Sequence, residues 1–276
     1  MKFLPEQLPR KMPLIIFVNL LLANALIPWV IMLPNEWQGS LILVGRIIIW
    51  LLITALIWSE KDNLSSFHFD RISLLIILLF RTLLNTGGSE AAFPNPQFWL
   101  SLVYWVSTIW LVVKLPKESF LTGLRLENIK WPIIGFLFGL GLMFGVLLIT
   151  AVKLADFLPF ISFFFQRSNH YLFYFLYSMG TEAIGEEIVF RGFLWGYLKN
   201  LGLKEYLVLV FQGGLFLLFH IVNLVKGGSE LWPIFLASLL FGVLVWRSRC
   251  LASSMTAHAS YNAARYVLEE AARRLS

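Results

Sequence analysis

Residues 171–195 read YLFYFLYSMGTEAIGEEIVFRGFLW, an apolar and aromatic run into which Glu182, Glu186, Glu187 and Arg191 are set. A helix of roughly 20 mostly apolar residues crosses a hydrocarbon core about 30 Å thick, so this run is long enough to span a bilayer. An ionisable side chain at that depth costs at least roughly 2.5–3.5 kcal/mol on insertion scales, and its default place is against protein rather than lipid. A helix that carries four such groups needs other helices to shield them. The stretch therefore predicts an all-α, polytopic bundle of transmembrane helices.

The rest of the chain agrees with that expectation. Of its 276 residues 58% are hydrophobic and only 14% charged, well away from soluble averages. Apolar runs recur at roughly 13–33, 40–58, 72–87, 97–114, 132–155, 171–196, 206–225, 231–247 and 251–268, which gives eight or nine spans. The run from Pro13 is too long for a signal peptide and reads as a retained first helix. Trp29, Trp37, Trp99, Trp131 and Trp232 fall near span ends, where indoles anchor at the interface.

The formal net charge of +6 is spread through short inter-span segments, with no basic tract interleaved with aromatics, so nucleic acid is not an expected partner. A cytoplasmic N-terminus puts Lys61, Arg71, Lys114, Lys117, Arg125, Lys130, Lys199, Lys204, Arg247 and Arg249 on one side and little beyond Arg167 and Lys226 on the other, which fits the positive-inside bias. The expected location is a multi-pass position in the cell membrane. Cys250 is the single cysteine, which excludes an intramolecular disulfide and any paired-cysteine metal motif.

Residue spacing groups the misplaced polar side chains. Glu187 and Arg191 are four apart, share a helix face and can form a charge pair. Glu186 points elsewhere and, free of a same-face cation, can project toward neighbouring helices. His220 follows Phe216 by one turn, and His258 precedes Asn262 by one turn, so that helix presents an imidazole and an amide together. Singly, each has a plain structural reading: a buried ion pair that fixes packing, or an interhelical hydrogen bond. Glu186, His220 and His258 lie in the central parts of their spans, so these three can meet at one height.

The ordered trio Glu186-Glu187-x-x-x-Arg191, Phe216-x-x-x-His220 and His258-x-x-x-Asn262 resembles the signature motifs of the CPBP family, which comprises the type II CAAX prenyl endopeptidases and the bacterial Abi proteins. The resemblance covers about 168–268, within a C-terminal unit of residues 132–276. Residues 1–131 form an N-terminal set of helices without a recognised motif. The resemblance implies an intramembrane endopeptidase acting on a membrane-embedded or lipidated peptide or protein. Glu186 would activate water with help from His220, His258 and Asn262 would stabilise the oxyanion, and Glu187 with Arg191 would position Glu186. Metal-independent activation is the expectation; the zinc alternative would use His220, His258 and Glu186 as ligands, in the absence of an H-E-x-x-H signature. Asp62, Asp70 and Asp156 lie outside the span centres, so an aspartyl dyad is not available. Two other classes compete: a transporter or channel built on the same buried charges, disfavoured by the lack of an internal repeat, and an inactive scaffold or immunity protein of the same family.

Overall fold

A computed structural model of the chain describes residues 11–30, 33–60, 62, 106, 129–150, 154–227 and 231–275, and they contain helices and turns but no strand. The spans expected at 72–87 and 97–114 lie outside these residues, apart from position 106. In chain order the described helices are α1 (Lys11–Val30), α2 (Asn35–Ser59), α3 (Lys130–Thr150), α4 (Leu154–Gln166), α5 (residues 168–200), α6 (Glu205–Gly227), α7 (Leu231–Ser248) and α8 (Leu251–Leu275). Most of α4 falls between the spans read at 132–155 and 171–196. Its phenylalanine-rich stretch packs into the bundle through Phe164, which meets Phe144 of α3 and Tyr171 of α5 edge-on or tilted.

The distribution of polarity is inverted relative to a water-soluble protein. Ile149 is 71% exposed, and Leu22, Leu26, Ile47, Leu137, Phe165 and Val210 also face outward, while Glu186, Glu187, Arg191, Gln212, Ser238 and His258 are buried. Such a surface suits hydrocarbon, and the chain is a membrane protein. Among the described residues Glu36–Ser59 and Lys130–Ile149 are long and apolar enough to cross a bilayer; Met12–Ala23, Glu205–His220 and Trp232–Ser248 are shorter apolar helices.

Helix α8 lies at the centre, against α3, α4, α5 and α7. Although rich in alanine and serine, it is the most buried helix of the set, because small residues let neighbouring backbones come close where lipid supplies no hydrophobic drive. Against α3 the approach is closest. A Cβ at Gly135 would meet the backbone carbonyl of Ser253, and one at Gly139 that of Ala257. Alongside, the Thr256 hydroxyl donates to Pro132 O (2.8 Å) and the Ser260 hydroxyl to Phe136 O (2.7 Å). The same sequence offset in both bonds makes α3 and α8 parallel. Gly139→Leu is expected to destabilise the fold by at least about 1–3 kcal/mol, because the clash is with backbone that cannot rotate away. Gly141, with open space around it, should accept alanine without loss. Thermal unfolding of the two variants in detergent separates these outcomes.

Candidate active site

The stretch at 171–195 forms most of α5, a continuous helical rod whose pitch changes twice. Ser168–Ser178 is α-helical, Met179–Ala183 is π-helical, Ile184–Glu187 returns to α, and Ile188–Leu194 is again π-helical before Trp195–Asn200 closes the rod. A π turn takes an extra residue per turn and rotates the helix beyond it, and such turns concentrate at functional sites. Here two of them bracket Glu186 and Glu187. Adjacent carboxylates would leave a helix about 100° apart, and both are nevertheless engaged by the interior, toward different partners.

Glu187 turns to the cationic side. Arg191 Nη1 donates to Glu187 Oε1 at 2.9 Å, and both side chains have 0% exposure. The guanidinium also donates through Nη2 to the hydroxyl (2.9 Å) and carbonyl (3.1 Å) of Ser238 on α7, and lies 4.4 Å from the ring centre of Phe216 on α6. One arginine thus ties three helices, with its charge met by a carboxylate, two neutral acceptors and an aromatic face.

Glu186 faces the histidines. Its Oε2 is 3.6 Å from His220 Nε2 and 3.8 Å from His258 Nε2. The other nitrogen of each ring is committed: His220 Nδ1 is 2.8 Å from Phe216 O, and His258 Nδ1 is 2.9 Å from Glu187 Oε1. A carbonyl and an arginine-paired carboxylate can only accept, so each Nδ1 carries a hydrogen and each Nε2 faces Glu186. Aromatic contacts hold the ring planes, with Phe216 stacked on His220 at 4.3 Å between centroids and Phe241 on His258 at 5.6 Å.

The sequence-read residues Glu186, Glu187, Arg191, His220 and His258 therefore converge from α5, α6 and α8. Asn262 is on the same helix as His258, but its amide nitrogen donates to Glu182 Oε2 at 2.6 Å. Glu182 accepts two further bonds, from Tyr266 (2.7 Å) and Ser178 (3.0 Å). Sequence reading leaves Glu182 outside the three motifs, with a supporting or interfacial role, and passes over Ser238, Tyr266 and the Phe216 carbonyl. The spacing of Glu182 one turn before Glu186, mirrored by Asn262 one turn after His258, is the signal that could have paired them across antiparallel helices.

For a zinc ion the natural set is His220 Nε2, His258 Nε2 and Glu186 Oε2. Their 3.6 and 3.8 Å spacings exceed the edges of about 3.3–3.4 Å that follow from tetrahedral zinc with ligands at roughly 2.0–2.1 Å. Among the described residues no three His, Cys, Asp or Glu side chains gather as a metal-binding group.

Residues 168–264 match the family model Rce1-like, described as Type II CAAX prenyl endopeptidase Rce1-like. The match falls on the segment that carries the three motifs and supports the resemblance read from them. No curated protein and no solved structure matches the chain.

Proposed function

We propose that the chain, whose residues 168–264 match the Rce1-like family model, is a multi-pass intramembrane endopeptidase in which Glu186 activates the hydrolytic water. The observation that carries this reading is the meeting of Glu186 Oε2 with two imidazole Nε2 atoms at 3.6 and 3.8 Å, beside the buried Glu187–Arg191 pair. These separations exceed direct hydrogen-bond distance, and a water in reach of both groups would sit to one side of the line that joins them. Such a water would donate one hydrogen to the carboxylate of Glu186 and the other to His220 Nε2, leaving an oxygen lone pair for the substrate carbonyl.

Attack on the peptide carbon forms the C–O bond and transfers the water proton to Glu186. The resulting oxyanion needs donors, and His258 can donate from Nε2 only as an imidazolium, since the hydrogen on Nδ1 is already held by Glu187. Asn262 supplies an amide N–H from the next turn. Glu186 then returns its proton to the leaving nitrogen as the C–N bond breaks, giving a carboxylic acid and an amine. Sparse water around the site strengthens each of these preorganised interactions.

The substrate class in this reading is a membrane-embedded or lipidated peptide or protein, held among eight or nine spans in the cell membrane with the N-terminus cytoplasmic. Protein reconstituted in liposomes should cleave a membrane-anchored peptide, and in 18O-labelled water the new carboxyl terminus should gain one labelled oxygen. Prenylated and unprenylated forms of that peptide, assayed side by side, define the class. Activity that disappears on chelation and returns with zinc would overturn metal-independent activation. Solute flux through the liposomes without cleavage would overturn the endopeptidase reading in favour of a transporter.

A further inference from the structure

Helices α5 and α8 run antiparallel, with Glu186 opposite His258 and Glu182 opposite Asn262, so the polar contacts form successive rungs one helical turn apart. The first rung belongs to the hydrolytic group. We infer that the second rung serves the same reaction: Glu182 is a positioning residue whose carboxylate fixes the amide of Asn262 at the edge of the catalytic group. This assignment rests on the endopeptidase reading.

An asparagine amide can turn over at little cost, exchanging its oxygen for its nitrogen. A carboxylate in front of it removes that ambiguity, because an ionised carboxylate only accepts and the nitrogen must face it. At 2.6 Å from Glu182 Oε2, the Asn262 nitrogen is held with one N–H spent and the second N–H directed about 120° away. Glu182 is itself held. Tyr266, one turn further along α8, donates to its other oxygen at 2.7 Å, and Ser178, one turn earlier on α5, donates at 3.0 Å. Three donors on two carboxylate oxygens leave the side chain a single orientation. The π-helical segment Met179–Ala183 carries Glu182, so the pitch change that precedes Glu186 also sets this rung.

A glutamine at 182 keeps the shape but has one acceptor oxygen where Asn262, Tyr266 and Ser178 need two. One donor then confronts an NH2 group, and Asn262 loses its fixed plane. Misplacing an oxyanion donor by about 1 Å can cost on the order of 10²-fold, whereas a residue that only supports the fold lowers yield and leaves kcat per folded molecule alone.

The test is a kinetic cycle on purified, folded protein with a membrane-anchored peptide substrate: unmodified chain, Glu182→Gln, Asn262→Ala and the double variant. Glu182→Gln is expected to lower kcat at least about tenfold with KM within about twofold, since the ground-state contacts are kept. The double variant should be no slower than Asn262→Ala, because Glu182 acts through that amide. Unchanged kcat in Glu182→Gln, or losses that multiply in the double variant, would overturn the assignment of Glu182 alone. If Glu182→Gln fails to fold, Tyr266→Phe, which frees one carboxylate oxygen and leaves the amide contact, serves in its place: a kcat loss of about twofold or more that vanishes in the Asn262→Ala background supports the assignment, and none opposes it. Lack of any Glu186-dependent cleavage by the unmodified chain would instead overturn the endopeptidase reading, and this inference with it.

Discussion

Replacing Glu186 with glutamine is expected to lower kcat by at least about 10³-fold while folded yield and thermal stability stay near those of the parent. The magnitude comes from the two roles that the substitution removes. General-base catalysis contributes typically about 10²–10⁴-fold, and here the same group also delivers the proton to the leaving nitrogen, so both steps lose their carrier. The stability expectation rests on shape and charge: glutamine matches glutamate in size, and the Arg191 charge is met by Glu187. A neutral amide of the same size leaves that pairing intact. Single-turnover cleavage of a membrane-anchored peptide, with monodispersity in detergent as the folding control, measures both quantities. Activity near the parental level in Glu186→Gln would remove Glu186 from the mechanism, and a collapse of folded yield would make it a structural carboxylate.

His220 should show a different pattern. It holds the water by one acceptor and stacks on Phe216, so His220→Gln retains a polar group but loses the stacked ring and the bond to Phe216 O. A smaller fall in kcat than for Glu186→Gln is expected, of about 10²-fold, with measurable loss of thermal stability. The two variants measured together tell a proton carrier from an orienting group.

The site was legible in the sequence to the extent that it was written in short spacings. Glu187 with Arg191, four apart, could be paired on one helix face without knowing the fold, and the structure joins them at 2.9 Å. Partners on other helices could not be read this way. Ser238 holds Arg191 from α7 and the Glu187 carboxylate holds His258 from α5, and both contacts depend on crossing geometry, which has no sequence period. The pitch of α5 was illegible for another reason. Hydrophobic patterning assumes 3.6 residues per turn, and two π segments break that phase while leaving an apolar run apolar. Lipid-facing helices blur the signal further, since α3 is apolar on every side and its packed face is marked only by Gly135 and Gly139, which approach α8. Helix α8 inverted the ordinary rule, being the least hydrophobic in composition and the most enclosed.

Arg191→Ala is expected to cost about 3–5 kcal/mol of stability. Arg191 and Glu187 have no exposed side-chain surface, and removing the guanidinium strands a carboxylate in an apolar interior together with the carbonyl and hydroxyl of Ser238. The reverse deletion, Glu187→Ala, strands the guanidinium and should be similarly damaging. Removing both charges is predicted to behave otherwise. In Glu187→Met/Arg191→Met no buried charge is left alone, the lost pair is replaced by flexible apolar volume, and the desolvation cost of two ions disappears with them. The double variant should therefore be more stable than either single alanine variant, by a non-additive margin of about 2 kcal/mol or more. It should nonetheless be inactive. His258 depends on the Glu187 carboxylate to keep its hydrogen on Nδ1 and its Nε2 toward Glu186, and methionine offers no acceptor for that bond. Thermal unfolding in detergent and cleavage of a membrane-anchored peptide, run on all three variants, separate the two roles. Recovered stability with recovered activity would show that the pair only fixes packing, whereas recovered stability without activity marks it as the brace that orients His258.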